Sequence, residues 1–200
     1  MKIDVVRYDP QWKDTFQSIK SELDSILGHL NPIIEHFGST SVPGLAAKPV
    51  IDILVGLKRE GQLDYTIQPM LGSSYIYYEI FNDGAPNRRL FVGLRDKRDL
   101  EFFKPIYTVE DDIPHELINE KRICHVHIWK YGSEDWIRHI AFRDYLRAFP
   151  DVRDAYAALK LGLTTKEWSD GMEYNRAKDA FIKTEEAKAL KWYNAQKNIK

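Results

Sequence analysis

The spacing of apolar residues predicts a helix near the start of the chain. Behind Asp9-Pro10, where Asp is a preferred N-cap and Pro fits the first helical position, apolar side chains recur every three or four residues as far as Gly28. These side chains are Trp12, Phe16, Ile19, Leu23 and Ile26. The spacing places them on one face of a helix, so we expect the helix to pack against a core through that face.

Short apolar stretches bounded by turn residues predict strands at about 33–37, 50–57, 75–81, 90–94 and 123–129. The stretch at 50–57 is apolar almost throughout, which is typical of a strand in the interior of its sheet. The turn residues at 82–87 predict a hairpin between two of these strands. A weaker pattern predicts a helix at about 63–71, and 100–103 is either a further strand or a short connection.

The last third of the chain shows the apolar spacing of helices alone. It predicts one helix over 133–149, a second from 150 to 161, and a long last helix that Asp170 caps. A helix, then a mixed sheet, then helices is an α+β order, so we expect a mixed β-sheet core with flanking helices. We assign residues 1–130 to this core and 131–200 to a helical segment packed on it within one compact unit.

Composition narrows the class of protein. The 29 basic and 30 acidic residues leave a net charge of −1, which argues against a dedicated nucleic-acid binder. Cys124 is the only cysteine, so the chain forms neither an internal disulfide nor a thiolate metal cluster. No run approaches the roughly 20 apolar residues of a membrane span, and the start lacks the apolar stretch of a signal peptide. We therefore expect a cytoplasmic protein with no membrane partner, and its oligomeric state is left open.

A glycine- and serine-rich loop, Gly38-Ser39-Thr40-Ser41, follows the first predicted strand. Glycine lets a ligand approach the backbone closely, and three neighbouring hydroxyls with successive backbone N–H groups can surround an anion. The loop is therefore either a phosphate-binding loop or an ordinary polar turn of a kind that is common in proteins.

Asp52 lies inside the apolar stretch at 50–57. A carboxylate in a buried strand is costly unless it binds a cation or pairs with one. Asp52 is thus either a metal ligand with a catalytic role or the ion-pair partner of a basic side chain such as Lys48. We favour the metal, because a carboxylate on the strand after a phosphate loop is a productive arrangement, and we expect Asp52 and the loop to line one cleft.

His125 and His127 lie two residues apart on the last predicted strand, so both imidazoles point to the same side. Such a pair can supply metal-binding nitrogens or a general base, and the alternative is a structural role for both rings. We predict that the pair reaches Asp52, with at least one ring nitrogen near its carboxylate. If imidazoles replace carboxylates, the preferred metal moves from Mg²⁺ toward Mn²⁺ or Zn²⁺.

Three basic side chains are candidates for holding phosphate. Lys48 neutralises either a carboxylate or a phosphate. Arg88 and Arg89 leave the hairpin turn toward opposite faces of their strand, and we select Arg89. Lys178 shares a helix face with Tyr174, so it is either a phosphate ligand or part of a packing stripe whose amine reaches water.

Residues 35–53 closely resemble the signature of the GrpB family. They read Glu-His-Phe-Gly-Ser-Thr-Ser-Val-Pro-Gly-Leu-Ala-Ala-Lys-Pro-Val-Ile-Asp-Ile. The resemblance continues in His125-Val126-His127, at 139–148, at 156–160, and in Tyr174, Lys178 and Phe181. It covers nearly the whole chain. The GrpB family is assigned to the nucleotidyltransferase superfold, so the resemblance implies a nucleotidyltransferase-like core.

The superfold implies a role for each candidate residue. A Gly-Ser pair holds nucleotide phosphates, acidic residues on the next strand bind a divalent metal, and a helical segment often supplies Lys and Tyr to the triphosphate. The superfold usually places two carboxylates two residues apart, so that both point to one face of the strand. Here Asp52 is present, but Leu54 stands where the second carboxylate would be.

The resemblance implies a metal-dependent nucleotidyltransferase that acts from a nucleoside triphosphate on a small acceptor, with Mg²⁺ or Mn²⁺ as cofactor. Asp52, His125 and His127 would form the catalytic and metal site. The phosphate site would comprise Gly38, Ser39, Thr40, Ser41, Lys48, Arg89 and Lys178. Leu54 favours the alternative, a non-catalytic nucleotide- or phosphometabolite-binding protein of the same fold. A metal-dependent phosphohydrolase that uses the histidine pair is a third class.

Overall fold

The computed structural model describes residues 3–59, 61–168 and 171–197. Its helices are α1 (Gln11–Leu27), α2 (Ile67–Gly72), α3 (His115–Lys121), α4 (Glu134–Ala148), α5 (Pro150–Leu163) and α6 (Gly171–Lys197). Its strands are β1 (Ile33–Phe37), β2 (Ile51–Leu57), β3 (Tyr75–Tyr78), β4 (Arg88–Leu94), β5 (Ile106–Tyr107) and β6 (Arg122–Lys130). The order of elements is that of an α+β protein, as the apolar spacing predicts.

In the described part of the chain the strands form one six-stranded sheet in the order β1-β2-β6-β4-β3-β5. The sheet is mixed, because β2 runs parallel to β6 while β6 and β4, and then β4 and β3, are antiparallel. This mixed sheet with flanking helices is consistent with the nucleotidyltransferase-like core that the resemblance implies. Strand β2 lies between β1 and β6, so the prediction that the apolar stretch is an inner strand is confirmed.

The strand register decides which side chains share a face. Asp52 is aligned with His125 and Leu54 with His127 across the parallel pair β2–β6. On the other side of β6, apolar residues of β4 lie opposite the two histidines. This face continues into a cluster of buried residues comprising Ile76, Tyr78, Leu90, Val92, Leu94, Phe103, Tyr107 and Ile118. Asp52, His125 and His127, which we call the triad, therefore lie on a largely apolar sheet face.

Two compact units are distinguished by their internal packing. We call them the sheet unit, Lys13–His36 with Val50–Trp136, and the helical unit, Met1–Trp12 with Phe37–Pro49 and Ile137–Lys200. The expected division at residue 130 stays a prediction. Within the helical unit, the segment after β1 is anchored by an antiparallel bridge between Val6 and Ala47.

Among the described residues, the core of the helical unit includes two groups of buried side chains. One consists of Val42, Leu45, Leu146 and Tyr156, with the Tyr156 ring stacked on Phe181 at 5.2 Å between centroids. The other consists of Ile3, Leu163, Trp168 and Tyr174. Residues of the 37–49 segment thus pack with α4, α5 and α6 through apolar contacts.

Several local features differ from the sequence-based expectations or decide between the alternatives that the sequence left. The strand expected at 75–81 ends at Tyr78, because residues 79–81 form a 3-10 turn that closes with a hydrogen bond from the Asn82 N–H to the Glu79 carbonyl, 2.8 Å. Residues 97–102 also form a 3-10 helix, so 100–103 is a connection and not a strand. The short helix α3 and the two-residue strand β5 were not expected. Asp170, the expected cap of the last helix, lies outside the described residues.

The described helices include none that is both long enough and apolar enough to cross a membrane.

Two glycines offer a matched test of the packing. A Cβ on Gly56 of β2 would lie 2.7 Å from the Trp136 ring, whereas a Cβ on the exposed Gly162 of α5 would meet no atom within 4 Å. We expect Gly56→Ala to lower the free energy of unfolding by about 1–3 kcal/mol through overpacking. Gly162→Ala should raise it by about 0.5–1 kcal/mol, because alanine is the better helix former. Urea denaturation measures both, and an unchanged Gly56→Ala protein would contradict the Trp136 contact.

Candidate functional site

In the sheet unit, three side chains of types that can bind a metal lie close together. Asp52 from β2 and His125 and His127 from β6 each offer a ligand atom, and these atoms all lie within 4.8 Å of one another. A divalent ion bound at about 2.0–2.2 Å holds its ligand atoms within about 4.4 Å of one another, so small shifts of the side chains suffice to close the site. The site is half-buried, with side-chain exposures of 30% for Asp52 and 24% for His125. The predicted clustering of the histidine pair with Asp52 is therefore seen, and metal binding stays a prediction.

His125 contacts a charged side chain through each of its ring nitrogens. Nδ1 lies 3.2 Å from Oδ1 of Asp52. Nε2 lies 3.2 Å from Nη1 of Arg122, the first residue of β6. Burial lowers the pKa of Arg122, although the neighbouring charge of Asp52 acts in the opposite direction. The sequence reasoning missed Arg122, whose only signal was its position three residues before His125.

Asp52 is kept in the form that binds a cation. Burial acts to raise its pKa, but the hydrogen bond with His125 and the electrostatic effects of His125, His127 and Arg122 outweigh burial. The net result is a pKa below the ordinary value of 3.8. Asp52 is therefore an ionised carboxylate at neutral pH, ready to act as a ligand.

Leu54 lies two residues after Asp52 on β2. It is fully buried and aligned with His127, on the same face as Asp52. Among the described residues the triad thus contains one carboxylate and two imidazoles. This donor set fits a divalent transition ion such as Mn²⁺ or Zn²⁺ better than Mg²⁺, which prefers oxygen ligands.

The glycine–serine loop belongs to the helical unit. Gly38 has φ 68° and ψ −174°, a backbone conformation that is essentially restricted to glycine. Ser39–Ser41 then form a 3-10 turn, in which the Ser41 hydroxyl donates to the Gly38 carbonyl at 2.6 Å. Thr40 and Ser41 are buried. The loop is an ordered turn that requires glycine at its first position.

Cationic side chains of α4 and α5 hold this loop. Arg147 donates from Nε and Nη2 to the Ser41 carbonyl, at 3.2 and 2.7 Å. Lys160 donates from Nζ to the Ser39 hydroxyl at 2.9 Å, although its side chain is only 3% exposed. The Lys160 amine also lies 4.5 Å from the centre of the Tyr156 ring. A buried lysine on a serine hydroxyl is a strong candidate for anion binding that the sequence reasoning missed.

Two further candidate lysines flank one aromatic ring. The amines of Lys48 and Lys178 lie 4.6 and 4.3 Å from the ring centre of Tyr174, which is 1% exposed. Tyr174 itself is a core residue, as the packing alternative for its helix face predicts. Lys48 and Lys178 are half-buried, so each amine combines an aromatic contact with partial access to solvent.

Arg89 lies in the sheet unit and forms an ion pair. Its Nη2 lies 2.6 Å from Oδ1 of Asp64, and its Nη1 donates to the Pro86 carbonyl at 2.8 Å. Arg88 points to the other face, with its guanidinium 5.9 Å from the Trp129 ring centre. A phosphate-binding role of Arg89 stays a prediction, and it would require the guanidinium to exchange its carboxylate partner for the ligand.

Comparisons with known proteins agree on one family. The family model described as "GrpB protein" matches residues 2–188. UPF0157 protein YqkA of Bacillus subtilis is 29% identical over 197 residues, which are 98% of this chain and 50% of that protein. Glutamate-rich protein GrpB of Alkalihalophilus pseudofirmus is 30% identical over 89% of this chain and 90% of its own length. The crystal structure of the conserved protein GrpB from Enterococcus faecalis superposes with a TM-score of 0.74 at 33% identity, covering 95% of this chain and 99% of that one. The chain thus spans half the length of the Bacillus subtilis relative.

The metal site is tested by thermal stability. We expect Mn²⁺ to raise the melting temperature of the wild type, because an ion at about 100 times its dissociation constant adds about 2.7 kcal/mol to the native state. Asp52→Ala and the double variant His125→Ala/His127→Ala should show little or no shift. His115→Ala, which removes an exposed histidine of α3, is the matched control and should respond as the wild type does. Equal shifts in all four proteins would place the metal elsewhere.

The phosphate loop is tested with inorganic tripolyphosphate in calorimetry. Lys160→Met keeps the apolar stem but removes the charge near Ser39, so we expect binding to weaken by about tenfold or more, as for the loss of a charged hydrogen bond of about 1.5–3 kcal/mol. Lys183→Met is the control, since Lys183 is an exposed residue of α6 that pairs with Asp179 at 2.6 Å. If the two variants bind tripolyphosphate with equal affinity, Lys160 does not bind phosphate and the loop has only a structural role.

Proposed function

The chain belongs to the GrpB family, and from this premise we propose that it binds a nucleoside triphosphate with a divalent metal and transfers the nucleotidyl group to a small acceptor. The observation that carries the proposal is the cluster of Asp52, His125 and His127 on adjacent parallel strands. An ionised carboxylate and two imidazoles on a half-buried sheet face are suited to hold an ion and keep positions open for a substrate. A cytoplasmic location remains a prediction from the sequence.

The sheet unit would provide the metal ligands. Asp52 contributes the negative charge, and His127 contributes an imidazole in register with Leu54. His125 is oriented by its contact with the Asp52 carboxylate. A bound divalent ion would neutralise the charge that develops on phosphate oxygens during transfer.

Within the helical unit, the candidate phosphate ligands lie around the glycine–serine loop. Gly38 has no side chain to cover the backbone at the start of the turn. The Ser39 hydroxyl accepts a hydrogen bond from the Lys160 amine. A phosphate oxygen that accepted a hydrogen bond from Lys160 would be bound by a charge-assisted contact in a buried setting. The amines beside Tyr174, from Lys48 and Lys178, would add positive charge for a polyphosphate.

A non-catalytic nucleotide- or phosphometabolite-binding protein is the second candidate. Leu54 favours it, because two-metal nucleotidyl transfer uses a second carboxylate at the position that Leu54 fills with a buried apolar side chain. A protein of this kind would retain the phosphate contacts and bind without turnover. When the ligand is a nucleotide, the two candidates differ in whether a product forms.

Binding and turnover are separated by comparing the wild type with Asp52→Asn, which keeps the shape of the side chain. We expect Mn²⁺ to raise the affinity of the wild type for ATP by about tenfold, equivalent to about 1.4 kcal/mol of coupling, and to have no such effect on Asp52→Asn. A nucleotidyltransferase releases pyrophosphate when an acceptor is supplied, and Asp52→Asn should release none.

Binding of ATP with neither pyrophosphate nor phosphate release would favour the non-catalytic protein, and phosphate release alone would favour a phosphohydrolase. Failure of the wild type to bind ATP, with or without Mn²⁺, would refute the proposal.

A further inference from the structure

The ring of His125 lies between groups of opposite charge. Asp52 faces Nδ1 and the Arg122 guanidinium faces Nε2, both at 3.2 Å. All three residues belong to the sheet unit, and His125 and Arg122 lie on the same strand. The chemistry of the two neighbours determines where the ring proton lies.

Arginine has N–H donors and no acceptor, so the contact with Arg122 requires Nε2 of His125 to be the acceptor. In the neutral ring the proton then resides on Nδ1. An Nδ1–H group facing Asp52 donates to Oδ1 of the carboxylate, 3.2 Å away. Both contacts are therefore satisfied together by a single tautomer, the one protonated on Nδ1.

While both contacts are in place, neither ring nitrogen of His125 is available to a metal. A metal ligand needs an available electron pair on a ring nitrogen. If the ion binds Nδ1, the proton moves to Nε2 and points at the N–H groups of Arg122. If the ion binds Nε2, it must take the position of the Arg122 guanidinium. In either arrangement the contact between Arg122 and His125 must break.

We propose that Arg122 is a built-in competitor of the metal, a cation that engages His125 until a divalent ion displaces it. The inference rests on the proposed metal site and identifies the residue that sets its affinity. The guanidinium neutralises Asp52 in the absence of metal, and it repels a divalent ion that approaches the same carboxylate.

The surroundings of Arg122 make displacement feasible. Its Nε is buried and has no hydrogen-bond partner among the described residues, so the guanidinium is not anchored through every donor. The contact to His125 is a single hydrogen bond at 3.2 Å and not a bidentate pair. Arg122 thus blocks the site without being locked in place.

The matched variants are Arg122→Met and Arg88→Met. Both remove a partly buried arginine from the sheet unit and keep an apolar stem. In the described structure, Arg88 contacts the Trp129 ring and not His125. We expect Arg122→Met to bind Mn²⁺ about tenfold or more tightly than the wild type in calorimetry, on the scale at which neighbours of metal ligands tune affinity. Arg88→Met should bind as the wild type does.

A second measurement needs no variant. Nitrogen-15 NMR of the metal-free wild type should show the His125 proton on Nδ1, and titration with Zn²⁺ should shift the resonance of whichever ring nitrogen binds the ion. A proton on Nε2, or equal Mn²⁺ affinities for wild type and Arg122→Met, would overturn the competition and leave the metal site standing. If neither protein binds Mn²⁺ or Zn²⁺, the metal site itself is refuted and the inference with it.

Discussion

The parallel pairing of β2 with β6 is the contact on which the candidate chemistry depends. Its register aligns Asp52 with His125 and Leu54 with His127. Side chains alternate between the two faces of a strand, so a slip of one residue would move the histidines away from Asp52. The apolar residues that alternate with them, among them Ile53 and Val126, are fully buried and oppose such a slip. The core that stabilises the sheet therefore also fixes the polar site.

That site also shows how a charge is tolerated on a mostly apolar face. Asp52 loses solvation by lying on an inner strand, and the loss is offset by the hydrogen bond from His125 and by the positive charge of Arg122. A divalent ion would offset it further, at the expense of the contact between Arg122 and His125. The carboxylate is thus stable in either state because a cation is always beside it.

The helical unit contains a turn that begins with a positive φ at Gly38, and contacts with the neighbouring helices stabilise this turn. Gly38 makes the conformation accessible, and donors from α4 and α5 stabilise it through the Ser41 carbonyl and the Ser39 hydroxyl. The apolar contacts of Val42 and Leu45 bring those helices to the loop. The buried amine of Lys160 is consequently placed by packing, and its hydrogen bond with Ser39 keeps a charge next to the glycine.

The local pattern of apolar and polar residues was enough to predict several helices and strands and the side to which the histidine rings point. The apolar stripe after Asp9-Pro10 predicted α1, the apolar run around Asp52 predicted an inner strand, and the two-residue spacing of His125 and His127 predicted rings on one side. Each of these features depends on the period of a single element, which neighbouring residues determine. The tertiary structure alone decided that β6 lies beside β2 in the observed register, and that Lys160 reaches Ser39 across 121 positions of sequence. Such contacts depend on which segments pack together throughout the chain, and the period of one element contains no information about its partner.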